Sequence, residues 1–392
     1  MPKTTEEKAS SITQSNPVRI ALWVRAGGRC EFLGCNKYLL DDEFTGLNEL
    51  FLGDVAHVVG RSRKGPRGSC SLPVTDRNKV GNLMLLCSEH HNKIIDKSPK
   101  DFPVELLLEY KKVHEDRILY QTSLGPESET AVIRLIGNIR GGTVSVSDGE
   151  IREAVLACNR YPRYLMAGKQ NGIEIDLSKI AGKDSYYWDE GKKIIDKVVD
   201  LKIFPSIEDG SVKHISVFAL ARIPLIAYFG NKIGDKIKID IYQKHRDSSE
   251  SWKWPSIKGS IDFKSTVEQI GAKDKIALCI SASGVIARNA LPANIGKSFT
   301  IYRLNPIGED SSRSIIGSNK SAEIFRVRYA QLLREIEKLH PSTKELHVFA
   351  AVPVSLAFHI GRELLKGVTP SLIIYDRNDK GNYEETIIVN PS

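Results

Sequence analysis

The sequence has no apolar run long enough to cross a bilayer as a helix, and its opening residues, M-P-K-T-T-E-E-K-A-S, lack the apolar centre of a secretory signal. Membrane-spanning and exported classes are set aside, and a cytoplasmic protein is expected. Cysteine is sparse: there are six in 392 residues, and Cys70, Cys158 and Cys279 read as reduced side chains rather than parts of a disulfide framework. Acids are nearly missing from residues 60 to 80, where Arg61, Arg63, Lys64, Arg67, Arg77 and Lys79 face only Asp76. The whole chain carries a net charge of +8, which favours an anionic partner only modestly. With 41% hydrophobic and 27% charged residues, it can bury cores for two or three domains.

The strongest chemical signal is metal-ligand spacing. G-G-R-C-E-F-L-G-C sets Cys30 and Cys35 in a C-x4-C knuckle whose glycines permit a tight turn, and Cys87 with His90 forms C-x2-H. Three cysteines and one histidine suit a closed tetrahedral zinc site, which adds folding energy to a subdomain with little core of its own. His57, Asn82 and His91 are left without a structural task. The β-branched residues around His57, from Val55 to Val59, read as a strand, and L-M-L-L at 83 to 86 as a second. From Ser88 the pattern turns helical, with Ser88 as N-cap and Ile94 and Ile95 as the buried side.

Strand, strand and helix, with histidine on the first and last, resemble the HNH nucleases over residues 16 to 120. Cys30, Cys35, Asp54, His57, Asn82, Cys87, His90 and His91 carry the resemblance. It implies an α+β, ββα-metal fold and metal-dependent phosphodiester hydrolysis in double-stranded DNA. His57 is then the general base and Asn82 the group that holds its imidazole by hydrogen bonding. His91 is the ligand of a catalytic Mg²⁺ or Mn²⁺. The chain departs from the family's pattern at Ala56, where many members carry an aspartate that binds the metal. Side chains alternate along a strand, so Asp54 shares the face of Ala56 and can stand in for that carboxylate. The basic loop beside His57 reads either as a solvated face or as a flexible phosphate-backbone contact. We adopt the second, with Arg61, Arg63, Lys64 and Arg67 touching DNA and little sequence specificity expected.

Residues 1 to 15 read as a loose arm, and P-V-R-I-A-L-W-V-R-A-G-G as a short helix ended by its glycines. The segment between Cys35 and Asp54 reads as an insertion without a chemical role. Leu106, Leu107, Tyr110 and Val113 mark the core side of a helix closing a nuclease domain of residues 16–124. Residues 125–150, with their Gly-Gly stretch, read as a connector, leaving 151–392 as a second domain.

That domain contains an internal duplication. V-F-A-L-A-R-I-P-L-I-A-Y-F-G (217 to 230) and V-F-A-A-V-P-V-S-L-A-F-H-I-G (348 to 361) each precede a second strand ending in Tyr, giving two βαβ units. Together with Trp252 and Trp254, these stretches resemble a SAVED domain, an α/β fold of two fused CARF-like, Rossmann-type halves that recognises cyclic oligonucleotides. The resemblance implies a cyclic di- or trinucleotide ligand. Arg222, Lys244, Arg246, Trp254 and Tyr375 are its candidate phosphate and base contacts, and Ala351 and Pro353 line the pocket at a helix start.

Joined to an HNH nuclease, such a domain resembles the effectors of bacterial cyclic-oligonucleotide antiphage signalling (CBASS). The expected function is DNA degradation after ligand-driven homo-oligomerisation in the bacterial cytoplasm. Two other readings stay open: a modification-dependent restriction nuclease with a DNA-reading C-terminal domain, and a zinc-stabilised DNA-binding module without catalysis.

Overall fold

A computed structural model describes residues 15–41, 50–138, 146–163, 172–182, 185–245, 251–255 and 259–391. It divides the chain into two compact units, 1–125 and 126–392.

The first unit opens with α1 (Asn16–Ala26), which has a proline in its first turn and is closed by Gly27 and Gly28 at φ +60° and +66°. Two short strands, β1 (Leu40–Asp41) and β2 (Leu50–Phe51), pair antiparallel. β3 (Gly53–His57) then pairs antiparallel with β4 (Leu83–Cys87), placing His57 opposite Leu83 and Gly53 opposite Cys87. Every residue of β4 is buried. Its apolar side chains join Leu22, Ala26, Leu39, Ala56, Val58, Ile95 and Leu107 in a small core.

After β4 the chain forms a π-helix, Glu89–Ile95, where the sequence reads as an ordinary helix; Ser88 precedes it without making a side-chain cap. The wider turn is closed by the Asp96 N–H donating to the His91 carbonyl at 3.3 Å. The closing helix α2 (Val104–Thr122) corrects a second expectation. Leu107 is buried and Tyr110 packs against the core as expected, but the other buried positions are Lys111 and His114, and Val113 is half-exposed. Lys111 is tolerated inside because its ammonium lies 2.5 Å from Glu115 and 3.6 Å from the fully buried Glu31. Glu31 also accepts the Leu85 N–H at 2.5 Å, and burial pushes its carboxyl up to about 7.

The second unit begins earlier than expected. Residues 125–150 are no simple connector, since they contain β5 (Glu129–Ile136), buried from Thr130 onward and central to a parallel sheet. After α3 (Asp148–Ala157), β6 (Tyr161–Arg163) and β7 (Ile173–Asp176) pair with the two ends of β5. α4 (Ser185–Val198) and α5 (Phe204–Glu208) follow, joined by a π turn at Val199–Ile203. Then β8 (His214–Leu220), α6 (Ile223–Ile233) and β9 (Lys238–Tyr242) complete the sheet in the order β6-β5-β8-β9.

The second sheet runs β10-β12-β11-β13-β14-β15, parallel in the middle and antiparallel at both edges. Its members are β10 (Phe263–Gln269), β11 (Ala272–Ser281), β12 (Phe299–Pro306), β13 (Glu345–Ala351), β14 (Ser371–Arg377) and β15 (Tyr383–Val389). α7 (Asn319–Leu339) enters between β12 and β13, and α8 (Val354–Arg362) between β13 and β14. Parallel strands covered on both faces are largely apolar, and β8 is buried at all seven positions; its two polar side chains, His214 and Ser216, are both hydrogen-bonded to Thr130.

The two βαβ repeats, β8-α6-β9 and β13-α8-β14, meet where α6 crosses α8. A Cβ on Gly361 would collide with the Ala227 carbonyl, and one on Gly230 with the Phe358 carbonyl. Ala227 and Phe358 hold equivalent places in the duplicated sequence, as do the two glycines, so the crossing has local two-fold character. Only glycine lets the two backbones approach this closely.

Candidate functional site

In the first unit the knuckle, the end of β4 and the π-helix bring Cys30, Cys35, Cys87 and His90 together, with their ligand atoms all within 4.8 Å of one another. The Cys87 and His90 donors are 3.0 Å apart, and those of Cys30 and His90 3.8 Å. Ligands of a tetrahedral zinc stand roughly 3.5–3.8 Å apart, so the set can hold such an ion. Phe32 stacks on the His90 ring at 4.0 Å and fixes its plane. Burial pushes the Cys30 thiol up to about 12. A thiol that resists ionisation in this pocket becomes a thiolate only beside a cation, which is the chemistry the cluster provides for.

His57 and His91 lie close enough that His91 is one of the charges depressing the His57 pKa. Burial is the main cause of that depression, and Arg61 adds to it. The imidazole is therefore neutral near pH 7. Its Nε2 meets Asn78 Oδ1 at 2.9 Å. An amide oxygen only accepts, so Nε2 carries the hydrogen and Nδ1 presents the basic lone pair.

Asn82 does not hold His57, which corrects the expected role. Its Nδ2 donates to the carbonyls of Val59 and Arg77 at 2.9 and 2.8 Å, and its Oδ1 accepts the Val59 N–H. It pins the chain two residues beyond the histidine, and Asn78 supplies the amide assigned to it. His91 Nδ1 lies 3.3 Å from Asp54, which also accepts from Asn92, and His91 Nε2 lies 3.4 Å from Asp96.

The basic loop divides into two groups. Arg63 and Lys64 are exposed and Arg61 half-buried, a surface suited to phosphate. Arg67, in contrast, is withdrawn: its guanidinium donates to the carbonyls of Val58 and Ile95 and to Asp96. Arg77 is buried and donates to the carbonyls of Gly60, Gly68 and Leu72. Arg67 is thus a clamp rather than a DNA contact. The loop is also compactly folded rather than flexible, for a Cβ on Gly60 or Gly68 would strike backbone carbonyls across the turn.

In the second unit, Arg222 caps the start of α6. It donates to Asp376 at 2.6 Å and lies 4.4 Å over the Trp188 ring. Ser185, Asn378, Glu384 and Thr386 join these three around a cavity of about 180 Å³. Gln243 occupies the equivalent place after β9. It bonds Ser355 of α8 at 2.6 Å and the Ile316 carbonyl at 2.7 Å. Each repeat thus sends the residue that follows the tyrosine of its second strand, Gln243 after Tyr242 and Asp376 after Tyr375, to the other repeat's helix start.

Lys244 lies 3.6 Å from Glu150, and Trp254 packs edge-on against His245. Pro353 caps α8, and the Ala351 carbonyl accepts from Ala282 and Ser283. Arg246 lies outside the described residues. Tyr375 is not free to stack on a base: it is 2% exposed, packed face-on against Phe349 at 4.3 Å, with its hydroxyl 2.9 Å from His347. A larger cavity, about 530 Å³, lies at the opposite ends of α6 and α8 and contains none of the expected ligand residues.

Solved structures similar to the chain include the Acinetobacter baumannii Cap4 SAVED/CARF-domain receptor, in complexes with 3'3'3'-cAAA and with 2'3'3'-cAAA. Both are 16% identical, with TM-scores of 0.43 and 0.44, over 76% and 78% of this chain. The chain covers 61% and 68% of those two, so it spans less than two thirds of the first. The Moraxella osloensis Cap4 receptor is 13% identical over 77% of this chain and 66% of its own, with a TM-score of 0.41. No curated protein matches the sequence. One family model does, over residues 200–389: SAVED, the "SMODS-associated and fused to various effectors sensor domain". Its match starts after β5 to β7, although these strands belong to the same sheet as β8 and β9. Residues 200–389 are accordingly a SAVED sensor domain.

Proposed function

We propose that the chain is a DNA endonuclease switched on by a cyclic di- or trinucleotide, an effector of antiphage signalling of the CBASS type. The observation that carries this reading is the convergence of His57 and His91 beside a cage of three cysteines and a histidine, in a chain that also contains a SAVED domain. In this reading zinc fills the cage and fixes β4 against the π-helix. The His57 Nδ1 lone pair takes a proton from water, the hydroxide attacks the phosphorus of double-stranded DNA, and the bond to the leaving 3′-oxygen breaks. Asn78 keeps the His57 ring in the tautomer this needs, while Arg61, Arg63 and Lys64 hold the phosphate backbone. A bound Mg²⁺ or Mn²⁺ supplies electrophilic stabilisation of the phosphate charge.

In the sensor, Arg222, Lys244 and the small residues around Ala351 and Pro353 offer the ligand site. Shifting the resting population from 1:99 to 99:1 requires the ligand to favour the active homo-oligomer by about 5.5 kcal/mol. Plasmid cleavage and sedimentation, measured with and without a panel of cyclic di- and trinucleotides, test the proposal. One ligand should produce both a larger species and cleavage, and His57→Ala should abolish cleavage while DNA binding remains. Constitutive cleavage by a species of unchanged size would remove the gating. Activity unaffected by His57→Ala would remove the nuclease.

A further inference from the structure

The nuclease site has a carboxylate that the sequence pattern does not single out, and its placement bears on which groups hold the divalent ion. His91 stands between two acids. On its Nδ1 side, Asp54 Oδ2 lies at hydrogen-bond distance, 3.3 Å, and the same oxygen accepts the Asn92 amide hydrogen at 3.1 Å. On its Nε2 side, Asp96 Oδ2 lies 3.4 Å away at an ion-pair distance. The two contacts suit different tasks. A histidine that ligates a metal through one nitrogen donates its other N–H to a carboxylate, and Asp54 is the carboxylate in hydrogen-bond contact. Two donor atoms of a six-coordinate Mg²⁺ or Mn²⁺, each about 2.1 Å from the ion, stand about 3.0 Å apart, close to the separation of Nε2 and Asp96.

The surroundings point the same way. Asp54 is three residues from His57 along β3, so the two side chains leave opposite faces of the strand. Asp96 and His91 are both among the charges that act on His57, so both lie near the base. The π winding brings this about, because residues five apart stand over one another there, and the Asp96 N–H to His91 carbonyl bond records that turn. Arg67 holds the other Asp96 oxygen at 3.4 Å while donating to the Val58 carbonyl, so the carboxylate is tied to the strand that carries the base.

Resting on the nuclease reading above, we propose that the divalent ion is held by His91 Nε2 together with Asp96, and that Asp54 orients His91 without touching the metal. Water and a phosphate oxygen complete the shell, as is usual for Mg²⁺ with few protein ligands.

Titrating the zinc-loaded full-length protein with Mn²⁺, followed by electron paramagnetic resonance, separates these roles without relying on activity. The unaltered protein should bind one Mn²⁺ per chain outside the zinc cage. Asp96→Ala should abolish that binding. Asp96→Asn, which keeps the shape and the contact with Arg67, should reduce it at least 100-fold, whereas Asp54→Asn should keep the site with affinity lowered about 10- to 100-fold. Zinc content and circular dichroism should be unchanged in the two asparagine variants. Unaltered Mn²⁺ affinity in Asp96→Asn, or loss of the site in Asp54→Asn alone, would overturn this assignment and leave the nuclease reading standing. A wild-type chain that binds no Mn²⁺ would remove both.

Discussion

The two units are held together by different physics. In residues 16–125 the apolar core is small. Glu31, Lys111 and His114 are buried in it, and the four residues of a cage able to hold a metal lie in or against it. In residues 126–392 two sheets and the α6–α8 crossing bury long runs of Ile, Leu, Val and Phe. The first unit should therefore depend on an ion, and the second on shape. Insults of each kind should fall on one unit and spare the other.

Removing the metal is expected to have the largest effect. Structural zinc contributes about 10 kcal/mol or more to small domains, far beyond what a core of this size supplies alone. A strong chelator, or Cys87→Ser, should unfold the first unit. Hydrogen exchange should then rise across residues 83–91 while β8 and β13 keep their protection. Loss of protection in both units together would break the contrast.

Gly361→Ala is the converse test. The added methyl runs into the backbone of Ala227 and Asn231, which cannot swing away as a side chain can, so the helices must separate. Overpacking of this kind costs about 1–3 kcal/mol. The second unit's melting temperature should fall by several degrees, with zinc content and the first unit's transition unchanged.

This contrast also sorts what could be read from the sequence. The βαβ repeats were legible because parallel strands covered on both faces leave unbroken apolar runs. The cage was legible because knuckle spacing is local. Contacts made by polar side chains across loops were not. Nothing in T-D-R-N-K-V-G-N tells which asparagine meets His57, and the structure assigns that contact to Asn78 and the loop to Asn82. Arg67 and Arg77 are indistinguishable by composition from Arg63, yet both satisfy carbonyls inside the fold. Lys111 broke the apolar stripe of α2 because its partner, Glu31, lies 80 residues away in sequence. β5 was missed because a single strand between two turn-rich stretches has no partner nearby in sequence.

Acid should also separate the units. Burial holds two sensor histidines neutral, lowering His214 to about 4 and His359 to about 3 from the ordinary 6.5. Below pH 6.5 the unfolded chain takes up protons at these positions and the folded unit does not. Their contribution is therefore complete above pH 6.5 and declines as the pH falls toward 4. The second unit's melting temperature should drop over that window, less steeply in His359→Gln. A melting temperature that stays level between pH 6.5 and 4 would contradict the neutral, buried state of both rings.

The smallest stability effect is expected from replacing Asn78, which does different work from Asn82 four residues on. Asn82→Ala strips partners from three buried backbone groups, at about 1–3 kcal/mol for each group left unsatisfied, and should lower stability and activity together. Asn78→Ala removes one partner from a half-buried ring, so the fold should lose little. Its consequence lies in the chemistry. The Asn78 contact raises the His57 pKa against the depression from burial, and without it the pKa falls further. The acid limb of kcat/KM should move to lower pH, while the plateau drops by about tenfold as the ring loses its orientation. An acid limb that stays in place in Asn78→Ala would mean that His57 is not the group whose ionisation governs cleavage.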